Sequence, residues 1–164
     1  VGRMVYEIGV HVLLDAVPKV LDGFPDAKFV IAGTGGMLGD LRHRAQERGL
    51  GSKVLFTGFV SDVDRNKLFT LADCVVFPSL YEPFGIVALE AMAARAPVVV
   101  SAAGGLAEVV KHAETGITVY PGNADSLAWG ILHTLQEPEW AHQRADQTLN
   151  VYDRVVRERA QADW

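Results

Sequence analysis

The chain has 164 residues, enough for one domain with a substantial core, and its 49% hydrophobic and 21% charged residues leave no room for long disordered tracts. A net charge of −5 argues against a broad nucleic-acid or anionic-membrane surface. Cys74 is the sole cysteine, which excludes an internal disulfide and fits a reducing, cytoplasmic setting.

The first residues, VGR, read as the end of a strand, which suggests a piece of a longer protein. They show neither a basic-then-apolar signal nor a small-residue cleavage site. A helix is expected over 9–21, kinked at Pro18, then a strand over 28–32 (KFVIA) and a glycine-rich loop, GTGGMLG. A helix over 38–48 leads to a strand over 54–57 (VLFT), the loop GFVSD and a helix over 62–72. A strand over 74–77 (CVVF) is followed by SLYEPFG and a helix over 86–94. The strand 97–101 (PVVVS) runs into AAGG and a helix over 106–112. Last come a strand over 117–120 (ITVY), the turn PGNAD with Asn and Asp as caps, a helix over 125–135, and a charged helical segment over 139–160. The most apolar stretch, 85–110, is broken by Glu90, Arg95 and Pro97 and is no membrane span.

Strands apolar on both faces, alternating with helices, predict an α/β fold: a doubly wound, Rossmann-like parallel sheet of about six strands with helices on both faces. Ligands bind at the carboxyl edge of such sheets, where all four glycine- or turn-rich loops fall. Glycine lets backbone amides approach a ligand, and each loop feeds a helix N-terminus. A phosphate-bearing ligand is one reading; good strand-to-helix turns are the other. Gly33-Thr34-Gly35 begins a G-x-G-x-x-G pattern, but Leu38 occupies the third glycine's place and no acidic residue ends the next strand, which argues against a dehydrogenase.

Glu82 falls just before the helix over 86–94, and Glu90 about one turn inside it. The amides of Phe84, Gly85, Ile86 and Val87 lie between them. Carboxylates flanking bare amides suit a ligand with phosphate in the middle and hydroxyls at both ends, such as a sugar joined to ribose through a diphosphate; two solvated surface glutamates are the alternative. Asp62-Val63-Asp64 has the D-x-D form of some metal sites, but after Ser61 it fits a capping box better. The five histidines show no ligand spacing, and Cys74 lies in a strand expected to be buried.

The stretches VGRM…GVHVLLDA, FVIAGTGG, VLFTGFV, PSLYEPFGIVALEAMA, VVVSAAGGLAEVV and TGITVYPGNADSLA resemble, in order and spacing, the C-terminal donor-binding domain of GT-B retaining glycosyltransferases of family 4 (group 1). The resemblance covers nearly the whole chain, to about Tyr152, and its central E-x7-E is the most specific part. It implies that residues 1–164 form a nucleotide-sugar binding domain, with the charged segment 139–164 packed on it and an N-terminal acceptor-binding domain absent. Glu90 would bond the ribose hydroxyls. Glu82 would contact the donor sugar near its anomeric carbon, and Arg3 would bind phosphate. The Phe84, Gly85, Ile86 and Val87 amides would hold sugar oxygens and pyrophosphate. Gly33 and Gly35 would line the nucleotide site, and the Phe59 and Val60 backbone would read the base.

The substrate would be a UDP-, GDP- or ADP-sugar, with no cofactor and no metal. The partners would be that donor and the acceptor domain, with no nucleic acid, and any peripheral membrane contact through the missing domain. The chain departs from the family at Ile8, where Glu-Lys-Gly is usual. The lost charged hydrogen bond is worth about 1.5–3 kcal/mol, roughly 10- to 150-fold. A non-catalytic nucleotide-sugar module is therefore the rival reading. A sugar-nucleotide epimerase shares the sheet but needs catalytic residues beyond Glu82.

Overall fold

A computed structural model describes residues 1–162; for residues 149–152, 155 and 159 it describes the helical backbone alone. A 3-10 turn, Tyr6–Ile8, leads through Gly9 into α1 (Val10–Gly23). Then follow β1 (Phe29–Ala32), α2 (Leu38–Glu47), β2 (Val54–Gly58), α3 (Asp62–Leu71), β3 (Val75–Phe77), α4 (Ile86–Ala93), β4 (Val98–Ser101), α5 (Gly105–Val109), β5 (Ile117–Val119), α6 (Ala124–Gln136), α7 (Pro138–Asp146) and α8 (Thr148–Ala162).

The strand–helix alternation is as expected, and every strand pair is parallel. The strands form two sheets, β1-β2 and β3-β4-β5, rather than one sheet of about six. The reason lies in residues 1–4. Gly2 N–H donates to Ala32 O and Met4 N–H to Thr34 O, so this segment runs along the end of β1 and the loop beyond it, without a ladder of its own. Val1 packs against the core beside β3-β4-β5, so the segment bridges the two sheets.

Side-chain alternation on β4 shows how the layers are built. Val99 enters the cluster formed with α1, α2 and α6, while Val98 and Val100 enter the cluster formed with α3, α4 and α5. Both faces of β4 are therefore covered, and all four of its residues are buried. The β1-β2 sheet differs from expectation: Val30 and its register partner Leu55 are 47% and 60% exposed, so that face is open.

Two helices close on caps that the sequence announces. Ser61 Oγ accepts from Asp64 N–H at 3.1 Å, and Asn123 Oδ1 accepts from Ser126 N–H at 2.9 Å. Helix α1 continues through Pro18. Helix α5 stops short of the expected residue 112 because Val110 turns extended and His112 bridges Gly116. The charged segment is two helices. The Thr148 hydroxyl donates to Met92 O and Ala145 O at the break, α7 packs on α6, and α8 packs on α4. Residues 163–164 of the expected segment lie outside the described residues.

Cys74 precedes β3 rather than lying in it and is half-buried as a residue. Desolvation pushes its thiol up to about 12, against an opposing hydrogen bond with Thr134. Such a thiol is inert, as core packing requires. No helix among the described residues is long and apolar enough to cross a membrane.

Candidate functional site

The carboxyl edge is assembled from loops that touch each other. Gly33 has φ 136°, and a Cβ there would fall 1.7 Å from Gly2 O; at Gly35 it would fall 2.6 Å from Met4 O. These glycines therefore admit the crossing segment 1–4, a role the sequence alone assigned to ligand approach or to turns. Across the edge, Gly104 has φ 50°, and a Cβ there would meet Glu82 O at 2.4 Å. The Gly105 N–H donates to that same carbonyl at 2.8 Å, fixing the loop before α4 against the loop after β4. The 3-10 turn joins in as well: Glu7 O accepts from Leu80 N–H at 2.7 Å and Tyr81 N–H at 3.3 Å. Ile8, in the place of the expected lysine, thus sits in a turn bonded to the Glu82 loop.

Glu82 is half-buried, and its Oε1 accepts from Phe84 N–H at 3.3 Å and Gly85 N–H at 3.2 Å. Two of the four amides expected to be bare are therefore occupied by the carboxylate itself. The Ile86 and Val87 amides belong to the first turn of α4, where N–H groups have no acceptor within the helix. The partial positive charge there favours an anion and also holds Glu82 in place.

Glu90 lies one turn further along α4. Its Oε2 is 3.3 Å from Arg65 Nη1, which reaches across from α3. Arg65 also lies 3.6 Å from Asp62, and its Nε is buried without a hydrogen-bond partner among the described residues. The Glu90 carboxylate is thus half of an ion pair, which spacing alone does not show. Arg65 carries one faint signal: it is a basic residue one turn inside the helix that follows the GFVSD loop. Phe59 and Val60 lie in that loop, Phe59 being 79% exposed, so the loop and Glu90 are linked through Arg65. Arg3 is exposed on the segment beside Gly33 and Gly35. The structure therefore groups Glu82, Phe84 and Gly85; Glu90 with Arg65; and Arg3 with Gly33 and Gly35.

The Asp62 and Asp64 carboxylates face cations: Arg65 for the first and Lys67, at 3.7 Å, for the second. Among the described residues no group of three or more His, Cys, Asp and Glu side chains comes together as a metal site.

The sequence matches the family described as glycosyl transferases group 1 over residues 1–151. The chain belongs to this family. An uncharacterized glycosyltransferase of Methanocaldococcus jannaschii is 52% identical over 137 residues, 84% of this chain and 35% of that protein. The crystal structure of the C-terminal domain of a group 1 glycosyl transferase from Francisella tularensis superposes with a TM-score of 0.82 at 25% identity, over 92% of this chain and 80% of that one. An Anabaena protein, HepE, solved with UDP-glucose, gives a TM-score of 0.78 at 26% identity, over 98% of this chain and 47% of that one. The fold is the Rossmann-like α/β fold of the GT-B glycosyltransferases of this family. The chain spans little more than a third of the length of the curated relatives it matches.

Proposed function

We propose that this chain is the donor-binding domain of a retaining, metal-independent glycosyltransferase, which transfers a sugar from a nucleoside-diphosphate sugar to an acceptor held by an N-terminal domain of the whole protein. The supporting observation is the pair of carboxylates on either side of the α4 N-terminus, Glu82 tied to amides and Glu90 tied to Arg65. In this reading Glu90 accepts the ribose hydroxyls. The Ile86 and Val87 amides, with Arg3, meet the charge of the departing diphosphate. Glu82 is an acceptor of fixed orientation beside the donor sugar, placed to stabilise positive charge growing at the anomeric carbon. Phe84 and Gly85 serve by holding Glu82, and Phe59 and Val60 by reading the base. Gly33 and Gly35 line the nucleotide site as backbone. A donor of this kind fits a cytoplasmic setting.

The edge is open, and Tyr81, Phe84 and Ile86 are 65%, 61% and 53% exposed beside it. An acceptor domain covering these side chains completes the reaction cleft in this reading, and the isolated chain binds donor without turnover. A second reading, a binding module without catalysis, is favoured by Ile8, because the diphosphate then lacks a charged partner in the turn against the Glu82 loop.

A thermal-shift panel of UDP-, GDP- and ADP-glucose, with the free nucleotides and with EDTA, tests the donor site. Ligand at about 100 times its Kd adds roughly 2.7 kcal/mol, a shift of several degrees at this size. No shift at millimolar ligand would overturn donor binding by this chain, and loss of the shift in EDTA would overturn metal independence. Ile8→Lys in the two-domain protein separates the readings. A rise in transfer rate of about 10-fold or more supports an enzyme weakened at this position, whereas silence in both forms supports the binding module.

A further inference from the structure

We propose that Arg65 is a positioning residue for the ribose-binding carboxylate, setting how strongly the site prefers a ribonucleotide over one without ribose hydroxyls. This rests on the reading of Glu90 as the ribose ligand.

Among the described residues Arg65–Glu90 is the ion pair most withdrawn from water. Arg65 and Glu90 side chains are 22% and 38% exposed, against 70% and 62% for Lys67 and Asp64. Exposed pairs contribute little because water competes and both side chains lose freedom. Here the guanidinium is largely withdrawn from water, and its Nε is buried without a partner. An arginine with one donor stranded would relieve that cost by swinging out into solvent. It stays beside Glu90, bridging α3 to α4. Asp62 does not explain the placement, since that carboxylate is 89% exposed and 3.6 Å away.

Three consequences follow for a bound nucleotide. A glutamate has three rotatable bonds, and the ion pair at Oε2 restrains the carboxylate while leaving Oε1 outside that pair for a diol. The Arg65 charge offsets that of Glu90, which otherwise repels a diphosphate held at the α4 N-terminus. Arg65 also belongs to the helix that follows Phe59 and Val60, so it ties the position of the base-reading loop to that of Glu90. Arg65 need not touch the ligand for any of these.

The test is calorimetric titration of the chain with UDP, GDP and ADP, each beside its 2′,3′-dideoxy analogue. The variants are Glu90→Gln, Arg65→Met and Arg65→Lys, with melting temperatures measured in parallel. The chain should prefer one ribonucleotide over its dideoxy analogue by about 10-fold or more, and Glu90→Gln should remove most of that preference. Arg65→Met should lower the ratio at least 3-fold, the dideoxy analogue losing less affinity than the ribonucleotide, and Arg65→Lys should recover part of it. A ratio unchanged in Arg65→Met, with Glu90→Gln still losing it, overturns the proposal and leaves the role of Glu90 standing. Equal weakening of both analogues shows a structural role alone and also overturns it. If the unaltered chain shows no ribose preference, or binds none of the six probes, the reading of Glu90 fails and the proposal with it. Should Arg65→Met melt far below the parent, Arg65→Gln, which keeps a donor but no charge, carries the same comparison.

Discussion

The two sheets of this domain are built to different standards. In β3-β4-β5 the central strand is buried on both faces, with Val98, Val99 and Val100 at or below 1% exposure. In β1-β2 one face carries Phe29, Ile31, Val54 and Phe56 towards α1 and α2, while Val30 and Leu55 stand in solvent. Glu82 and Glu90 follow β3 in the first half, and the loop with Phe59 and Val60 follows β2 in the second. The covered half holds Glu82 by four backbone relations within one loop pair, the kind of support that fixes a group to fractions of an ångström. The open half is tied to it by residues 1–4 and by Arg65.

The largest effect expected from a single change tests that loop pair. Gly104→Ala places a methyl 2.4 Å from Glu82 O at a positive φ, so loop and carboxylate must shift. We expect a loss of about 2–4 kcal/mol in urea unfolding and at least 10-fold weaker nucleotide binding. Gly36→Ala, with nothing within 4 Å of the new methyl and no positive φ, should change stability by less than about 0.5–1 kcal/mol and leave binding intact. Equal effects of the two changes would break the claim that glycine here serves backbone contact.

A smaller effect compares the sheets directly. Val99→Ala removes methyls from a residue at 0% exposure and should cost about 1.5–3 kcal/mol. Val30→Ala, at 47% exposure, should cost no more than about 0.5 kcal/mol in the isolated chain. The measurement sharpens when repeated in the whole protein. A cost at Val30 that appears there, and is missing in the isolated chain, would show that another part of the protein covers this face.

The alternation of elements was legible because β-branched runs at strand length, separated by amphipathic helical stretches, have few other solutions. The open face was not, because Val30 and Leu55 are as apolar as the residues of β4, and a strand does not announce whether a helix will cover it. Ser61 and Asn123 could be read as caps since a cap acts over three residues. The GTGG glycines could not be assigned to the crossing of residues 1–4, because that contact joins positions about thirty residues apart. The spacing of Glu82 and Glu90 singled them out in the sequence, with two solvated surface glutamates as the alternative. The partner that holds Glu90 escaped because α3 and α4 meet in space and nowhere in the sequence.

The smallest effect concerns α1, which packs on the open-faced half. His11 stacks on Tyr6 at 4.8 Å between ring centroids, and its Nδ1 is buried without a hydrogen-bond partner among the described residues. Burial lowers its pKa below the ordinary 6.5; Arg44 lowers it further and Asp15 opposes. A histidine lowered on folding binds fewer protons in the native state than in the unfolded one. Stability contributed at this site is therefore intact above 6.5 and declines as the pH falls from 6.5 through the lowered native value. Because the ring is only partly withdrawn from water, the slope should be slight, visible as a difference between the chain and His11→Gln in melting temperature from pH 7.5 to 5. Carboxylates titrating in the same range contribute equally to both proteins and cancel in that difference. If His11→Gln instead loses stability relative to the parent as the pH falls, the ring gains a proton partner on folding, and the orphaned Nδ1 is not its native arrangement.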